Sequence, residues 1–399
     1  MTQAGRSFNL RHLRAFVEVC DRGSISEAAG VVHLSQPAIT HAIARLEDQL
    51  RTRLFHRAPR GMVPTAEGER FRFRASRALD LLNGRAGRAR KPMPLRVETR
   101  ATAAQLGTLI AIGETGSYSA AARALGAAQP TVYRAARDLE DGLGLPLFEK
   151  AGSAVRLSRQ GEALQQAARL MFAELEQATE EIATALGHGA ARVRIGALPL
   201  ARATILSEAI DSVQDGATQL RIYVDDGPFP ELLQAVRTGA LDILVGALRD
   251  PPPARDIRQE TLFLDRLAIF CGPDHPLMQR GAITPGDLHS FPWVLPRSGT
   301  PTRSYFERAF PSLAEAVGET LVETSSMVLV RQLLQSRHRL TLISRAQVVS
   351  ETRRGLLFEL PVALDDAPRA IGALYRADWY PTSGQAIFLQ ALRDAGRRM

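Results

Sequence analysis

Gly23-Ser24-Ile25-Ser26-Glu27-Ala28-Ala29, then Ser35-Gln36-Pro37, Leu46-Glu47 and Leu54-Phe55, return 93 residues later as Gly116-Ser117-Tyr118-Ser119-Ala120-Ala121-Ala122, Ala128-Gln129-Pro130, Leu139-Glu140 and Leu147-Phe148. Residues 13–68 align with 106–161 without a gap, and 17 of the 56 pairs are identical. Self-similarity this dense means that the chain carries two copies of one small module, which divides its front half before any other reading is made.

Within the first copy, Leu13, Phe16, Val17 and Val19 form the apolar stripe of a helix ending at Asp21-Arg22-Gly23. Ser24 or Ser26 caps a second helix, in which Ala28 and Ala29 are small enough for close helix approach. A third begins near Ser35, accepts Pro37 in its first turn, where a missing N–H costs nothing, and runs through Ile39, Ile43 and Leu46. Helix, short helix, tight turn, helix is the helix-turn-helix pattern. Leu54 to Arg57 and Gly61 to Pro64 flank the turn Ala58-Pro59-Arg60-Gly61 as two short strands of a wing. The third helix exposes Thr40, His41 and Arg45, suited to base edges in a major groove, while Arg53, Arg57 and Arg60 on or near the wing suit phosphates.

Charge follows the same division. The net +8 of the 399 residues is concentrated in residues 1–94, with 17 Lys or Arg against 8 Asp or Glu. Residues 95–187 hold 9 against 11, and residues 188–399 hold 24 against 23. The excess therefore sits with the first copy, as expected of a segment lying against a polyanion such as DNA. Cys20 and Cys271 lie far apart with no ligand spacing around them, so neither a disulfide framework nor a metal site is expected. Arg6, Arg11, Arg14 and Glu18 interrupt every apolar run near the start, and no stretch is apolar enough to span a bilayer. A cytoplasmic protein is expected.

The chain resembles the LysR-type transcriptional regulators, on Leu13 to Phe16, Gly23 to Ala29, Leu34-Ser35-Gln36-Pro37-Ala38-Ile39-Thr40, Arg45-Leu46-Glu47, Leu54-Phe55-His56-Arg57 and Thr65-Ala66-Glu67-Gly68. The resemblance implies a winged DNA-binding domain with Ser35, Gln36, Pro37, Thr40 and His41 at the start of its recognition helix. The second copy departs where DNA would be touched: Ala128 replaces the capping Ser35, Tyr133 stands opposite Thr40, and Glu149 replaces His56. Gln129, Pro130, Thr131, Tyr133, Arg134, Arg137 and Lys150 are its candidate contacts, and the alternative is a spacer or dimer element. Residues 102–399 alone have the layout of a complete family member, so the first module reads as an added copy.

Residues 67–90 have helical periodicity, with Phe71, Ala75, Ala78 and Leu82 on one stripe and Arg70, Arg74, Arg77, Arg85 and Arg88 elsewhere, and the helix is expected to stop before Lys91-Pro92-Met93-Pro94. A longer helix follows the second copy, with Leu164, Ala168, Met171, Leu175, Ala178, Ile182 and Ala185 at alternating spacings of four and three. That seam is the pattern of a paired coiled coil; the alternative is an amphipathic helix lying on its own domain. The resemblance favours pairing of two chains through Leu164, Met171, Leu175 and Ile182, hence a homodimer or homotetramer.

From Arg192 onward short apolar strands alternate with helices: strands at 193–197, 220–224, 241–245 and 267–271, helices at 203–213 and 230–237. This alternation indicates parallel α/β sheets, in which ligands bind at strand ends. The resemblance continues through Val193-Arg194-Ile195-Gly196, Gly239-Ala240-Leu241-Asp242-Ile243, Asp274-His275-Pro276-Leu277 and Gly355-Leu356-Leu357, and implies an effector domain like the type 2 periplasmic binding proteins, two subdomains around a cleft. Candidate effector contacts are Leu198, Pro199, Phe229, Ala247, Leu248, Arg297, Ser298, Gly299, Thr300, Thr324, Ser325, Ser326 and Ser344.

The expected organisation is a multidomain α and α/β chain: a winged helix-turn-helix domain at 1–66, a linker helix and connection at 67–94, a second winged domain at 95–158, a linker helix at 159–189 and the effector domain at 190–399. The expected function is transcriptional regulation, with double-stranded promoter DNA, a small-molecule effector and RNA polymerase as partners, and with no cofactor, no metal and no membrane. No catalytic triad, paired carboxylates or phosphate loop stands out, which argues against the rival reading of an enzyme on the same fold. The +9 of the first module argues against a third, an adaptor with decayed modules.

Overall fold

The computed structural model describes residues 7–58, 61–84, 96–152, 154–214, 219–319, 321–364 and 368–399. The first module comprises α1 (Leu10–Arg22), α2 (Ile25–Val32), α3 (Gln36–Leu50) and the antiparallel wing β1 (Phe55–Ala58) and β2 (Gly61–Pro64), followed by α4 (Ala66–Leu82). After a short α5 (Val97–Arg100), the second module repeats the plan as α6 (Ala103–Thr115), α7 (Tyr118–Leu125), α8 (Gln129–Leu143), β3 (Phe148–Ala151), β4 (Ala154–Leu157) and the long α9 (Arg159–Ala185).

The residues shared by the copies are those that build the fold. Gly23 and Gly116 end α1 and α6 at φ of 67° and 65°, and each offers its carbonyl to a wing amide, that of Met62 at 2.9 Å and Val155 at 2.8 Å. The Glu47 and Glu140 carboxylates each accept the amide of the leucine opening the wing, Leu54 and Leu147, at 2.8 Å. A Cβ on Gly68 or Gly161 would meet the carbonyl oxygen of those same leucines at 2.1 and 2.2 Å, so only glycine lets the linker helix start there. Of the two candidate caps of α2, Ser24 fills the role, and the Ser26 hydroxyl accepts from the Gln36 side chain instead.

α4 packs along α9. Phe71, Ala75, Ala78 and Leu82 share one buried core with Leu164, Ala168, Met171, Leu175, Ala178 and Ile182, and with Leu13 and Phe16 of α1 and Leu106 and Leu109 of α6. The α9 seam expected to pair two chains is thus filled from within the same chain: Leu164, Met171, Leu175 and Ile182 are at most 1% exposed. The physical reason is the duplication itself, which supplies a second linker helix in cis. α4 also ends eight residues before the expected stop. Asn83 turns the chain there, its amide nitrogen donating to the Leu79 carbonyl and the Glu98 carboxylate and its oxygen accepting the Val97 amide. The expected connection at Lys91 to Pro94 lies outside the described residues.

Arg74, which sequence placed off the apolar stripe, is the centre of this seam. Its guanidinium is 1% exposed and pairs with Glu174 at 2.9 Å and Glu181 at 2.8 Å, while Gln177 adds a further acceptor. Arg77 pairs with the other oxygen of Glu174 at 3.2 Å.

The C-terminal domain opens with β5 (Ala191–Ala197), α10 (Pro199–Ala203), α11 (Ile205–Gln214), β6 (Leu220–Asp225), α12 (Phe229–Arg237), β7 (Ile243–Ala247) and β8 (Ile257–Asp265). It crosses at Arg266 into β9 (Leu267–Cys271), α13 (Pro285–Leu288), β10 (Trp293–Leu295), α14 (Pro301–Ala309), α15 (Pro311–Ala316), β11 (Val322–Glu323), α16 (Met327–Leu334), β12 (Leu340–Ser344), α17 (Val349–Arg353) and β13 (Phe358–Glu359). The chain then returns as β14 (Arg369–Arg376) and α18 (Ser383–Gly396). Among the described residues the two sheets run β6–β5–β7–β14–β8 and β11–β10–β12–β9–β13. The helix-linked strands pair in parallel, as expected, but β14 runs antiparallel to β7 and β8, and β9 antiparallel to β12 and β13. β9 and β14 are entered from the other subdomain rather than over a crossover helix, which removes the constraint to parallel pairing.

The first subdomain is fastened to the linker helices. Arg77 donates to the Asp378 carbonyl at 2.6 Å and Arg74 to the Tyr380 carbonyl at 2.9 Å, and the Tyr380 ring lies 4.5 Å from that of Phe73. From β5, Arg192 and Arg194 each reach Glu176 of α9 at 3.0 Å, and Arg192 also pairs with Glu180.

Two outcomes follow from these buried charges. Arg74→Ala leaves Glu174 in the core with Arg77 alone and takes the guanidinium from Glu181, and is expected to destabilise the chain by about 3 kcal/mol in chemical denaturation. Glu180 is pushed up to about 7, chiefly by burial and against the pull of Arg192. A carboxyl raised in the folded state lends stability that is complete below its ordinary range, near 4.5, and is lost as pH climbs through about 7. Glu180→Gln should therefore melt with the parent at pH 5 and above it at pH 8.

Candidate DNA-reading heads and effector site

α3 and α8 are the candidate reading helices, and their outer residues are open. Ser35 caps α3 by accepting the Ala38 amide at 3.3 Å, and Ser35, Gln36, Pro37, Thr40, His41 and Arg45 are all exposed. The Thr40 hydroxyl donates to the Gln36 carbonyl at 3.0 Å, which leaves its lone pairs outward. Arg53 is 83% exposed while touching Glu47 at 2.9 Å, so its guanidinium retains donors for a phosphate. Arg57 lies on β1, and Arg60 falls outside the described residues.

In the second head Ala128 opens α8 with no side-chain cap, and Gln129, Pro130, Thr131, Tyr133, Arg134, Arg137 and Lys150 are exposed. Tyr133 is not a simple replacement for Thr40. Its ring meets Tyr118 edge-on at 5.2 Å and lies 5.4 Å beneath the Arg137 guanidinium, which donates to the Tyr133 hydroxyl at 3.3 Å and to Glu140 at 2.7 Å. This stack holds an aromatic face and a cation rigidly on the outer side of α8.

In the effector domain, candidate residues gather at the carboxyl ends of the parallel strands, where doubly wound sheets bind ligands. Leu198, Phe229 and Leu248 pack into one apolar cluster beyond β5 and β7, with Pro199 and Ala247 beside them half-buried. In the second subdomain Arg297, Ser298 and Gly299 form an exposed loop, with Gly299 at φ of 78°, leading to Thr300, which caps α14. The Thr324 hydroxyl accepts the Ser326 amide and Ser326 caps α16, while Ser325 is exposed. Ser344 differs from its expected role. It is 1% exposed and donates to Asp265 at 2.6 Å, and Asp265 in turn holds Arg369 at 2.8 Å, so it ties the two crossing segments together instead of facing a ligand.

Sequence reasoning missed Arg249. It lies two residues past the end of β7, is half-buried, and its guanidinium sits 4.4 Å over the Phe229 ring. Burial alone pushes its pKa down, and among the described residues no carboxylate is paired with it. Its place just past Val245-Gly246-Ala247-Leu248 was the available signal.

Two windows of this architecture, residues 10–69 and 103–162, match the family model of the bacterial regulatory helix-turn-helix protein of the lysR family, and residues 187–397 match the LysR substrate binding domain. The chain belongs to the LysR family: it is a LysR-type DNA-binding transcriptional regulator with an effector-binding domain. It is 31% identical over 390 residues to the HTH-type transcriptional regulator GalR of Pseudomonas putida, 97% of each chain, so that match runs through both heads. It is 28% identical over 299 residues to the HTH-type transcriptional regulator PcaQ of Agrobacterium fabrum, which takes 75% of this chain and 96% of PcaQ. The crystal structure of ArgP from Mycobacterium tuberculosis shares the fold, with a TM-score of 0.56 at 17% identity over 73% of this chain and 96% of that one. No helix among the described residues is long and apolar enough to cross a membrane.

Replacing Arg53, Arg57 and Arg60 together by alanine should weaken binding to every duplex alike and lower the slope of log affinity against log salt by about 0.9 for each phosphate no longer neutralised. An unchanged slope in a fluorescence titration would remove the wing from the interface.

Proposed function

We propose that both heads lie on promoter DNA, α3 and α8 in major grooves and the wings along the backbone, and that an anionic metabolite at the Leu198, Phe229 and Leu248 cluster changes how the heads are presented. The protein acts where the chromosome is, in the cytoplasm. One observation carries the coupling: Arg74 and Arg77 of the linker pair are bonded to the backbone of Tyr380 and Asp378 in the effector domain. A ligand that prefers one arrangement of the subdomains therefore also biases the seat of the linker helices.

Arg249 selects the ligand class. A half-buried guanidinium over an aromatic ring with no carboxylate beside it is suited to a carboxylate or phosphate, which would restore its charge balance. Pairing of whole chains would place four heads on the promoter and raise avidity.

The test uses the full chain on sheared chromosomal DNA, with recovered fragments sequenced in the presence and absence of a panel of mono- and dicarboxylates and sugar phosphates. A discrete set of promoter fragments is expected, shifted by at least one panel member in the parent and by none in Arg249→Ala. Recovery without sequence preference would defeat the regulatory reading, and an unchanged response in Arg249→Ala would defeat the anion site.

A further inference from the structure

α4 and α9 come from one chain and carry unlike heads, so the pair of heads within a chain is not two-fold symmetric. We propose that a single chain holds the complete pair of heads and reads two different half-sites in fixed order, so that its elementary operator is not an inverted repeat. This rests on the DNA-binding reading above and deepens it.

The seam shows that unlike pairing is chosen. In a pair of identical helices every contact is matched by its reciprocal. With the 93-residue offset of the repeat, the reciprocal of Arg74 with Glu174 is Ala167 with Leu81, and that of Arg77 with Glu174 is Leu170 with Leu81. All three of those residues are buried and apolar, at most 5% exposed. Pairing α4 with a second α4 would put Arg74 and Arg77 against Leu81. Pairing α9 with a second α9 would put Glu174 against Ala167 and Leu170. Each arrangement buries charge of one sign against apolar side chains, whereas α4 on α9 sets Arg74 and Arg77 against Glu174, and Arg74 against Glu181.

The two ends of the connection fix that pairing in cis. Asn83, at the end of α4, accepts the Val97 amide at 2.9 Å and donates to Glu98 at 2.8 Å, so the close of the first module and the start of the second are held at one point. Arg11 of α1 donates to the Thr99 carbonyl and Arg100 to the Gly142 carbonyl, which ties the first head to the second within the chain.

The heads so joined present different chemistry at equal register. Where α3 shows Ala38, Thr40, His41, Ala44 and Arg45, α8 shows Thr131, Tyr133, Arg134, Arg137 and Asp138. The Tyr133–Arg137 stack has no counterpart on α3, and Asp138 puts an anion where Arg45 puts a cation. Bases and phosphates that suit one helix do not suit the other.

The experiment selects duplexes from a random pool with the full-length parent, His41→Ala and Arg134→Ala, and sequences the bound fraction. Expected is a unit of two unlike halves, about one helical turn or a multiple of it between centres. His41→Ala should relax base preference about tenfold in one half only, and Arg134→Ala in the other half only. An inverted repeat whose halves all respond to His41→Ala and none to Arg134→Ala would overturn the proposal while leaving DNA binding intact. A parent that enriches no sequence at all would overturn both.

Discussion

A buried guanidinium clamped between two carboxylates of another helix governs the architecture of this protein. Arg74 of α4, held by Glu174 and Glu181 of α9, fixes the register of the linker pair, and through its bond to Tyr380 it fixes where the effector domain rests. Hydrophobic seams tolerate sliding and exchange of partners; a buried charge tolerates neither, since any other register leaves an ion unpaired. The apolar stripes of α4 and α9 make them adhere, and the Arg74 network makes them adhere to each other.

The duplication separates two kinds of constraint. Gly23, Glu47, Leu54 and Gly68 recur as Gly116, Glu140, Leu147 and Gly161 because each sits where one backbone group must meet one side chain or tolerate none. Thr40, His41 and Arg45 do not recur, and all three lie exposed on the outer side of α3, where packing does not dictate the side chain. Internal geometry has held the two heads alike while their readout has diverged. Charge has diverged with it, leaving the excess of cations on the first copy.

Both heads, their wings and the alternating strands of the effector domain were legible from periodicity and turn residues, since those features are local. The partner of the α9 seam was not. Its spacing of four and three states that something packs there, and the choice between another chain and α4 depends on residues 100 positions apart, Arg74 and Glu174. Arg74 lies one helical step from Phe71 and Ala78 on the stripe, and its charge masked that position. Strand direction in β9 and β14 escaped for a similar reason, because it is set by the crossings between subdomains and not by any strand's own sequence. Ser344 was an expected effector contact, yet Asp265, the residue that claims its hydroxyl, is 79 positions away.

Pairing of α4 with α9 inside one chain is most directly measured as a distance. Spin labels on cysteines placed at positions 41 and 134 of a single chain report the separation of the two heads, while the native thiols Cys20 and Cys271, both pushed up to about 12 by burial, react slowly. With labelled chain diluted into a large excess of unlabelled chain, one narrow separation, unchanged by dilution, is the predicted result. A separation that broadens or disappears on dilution would show that the linker helices pair between chains, and would contradict the account.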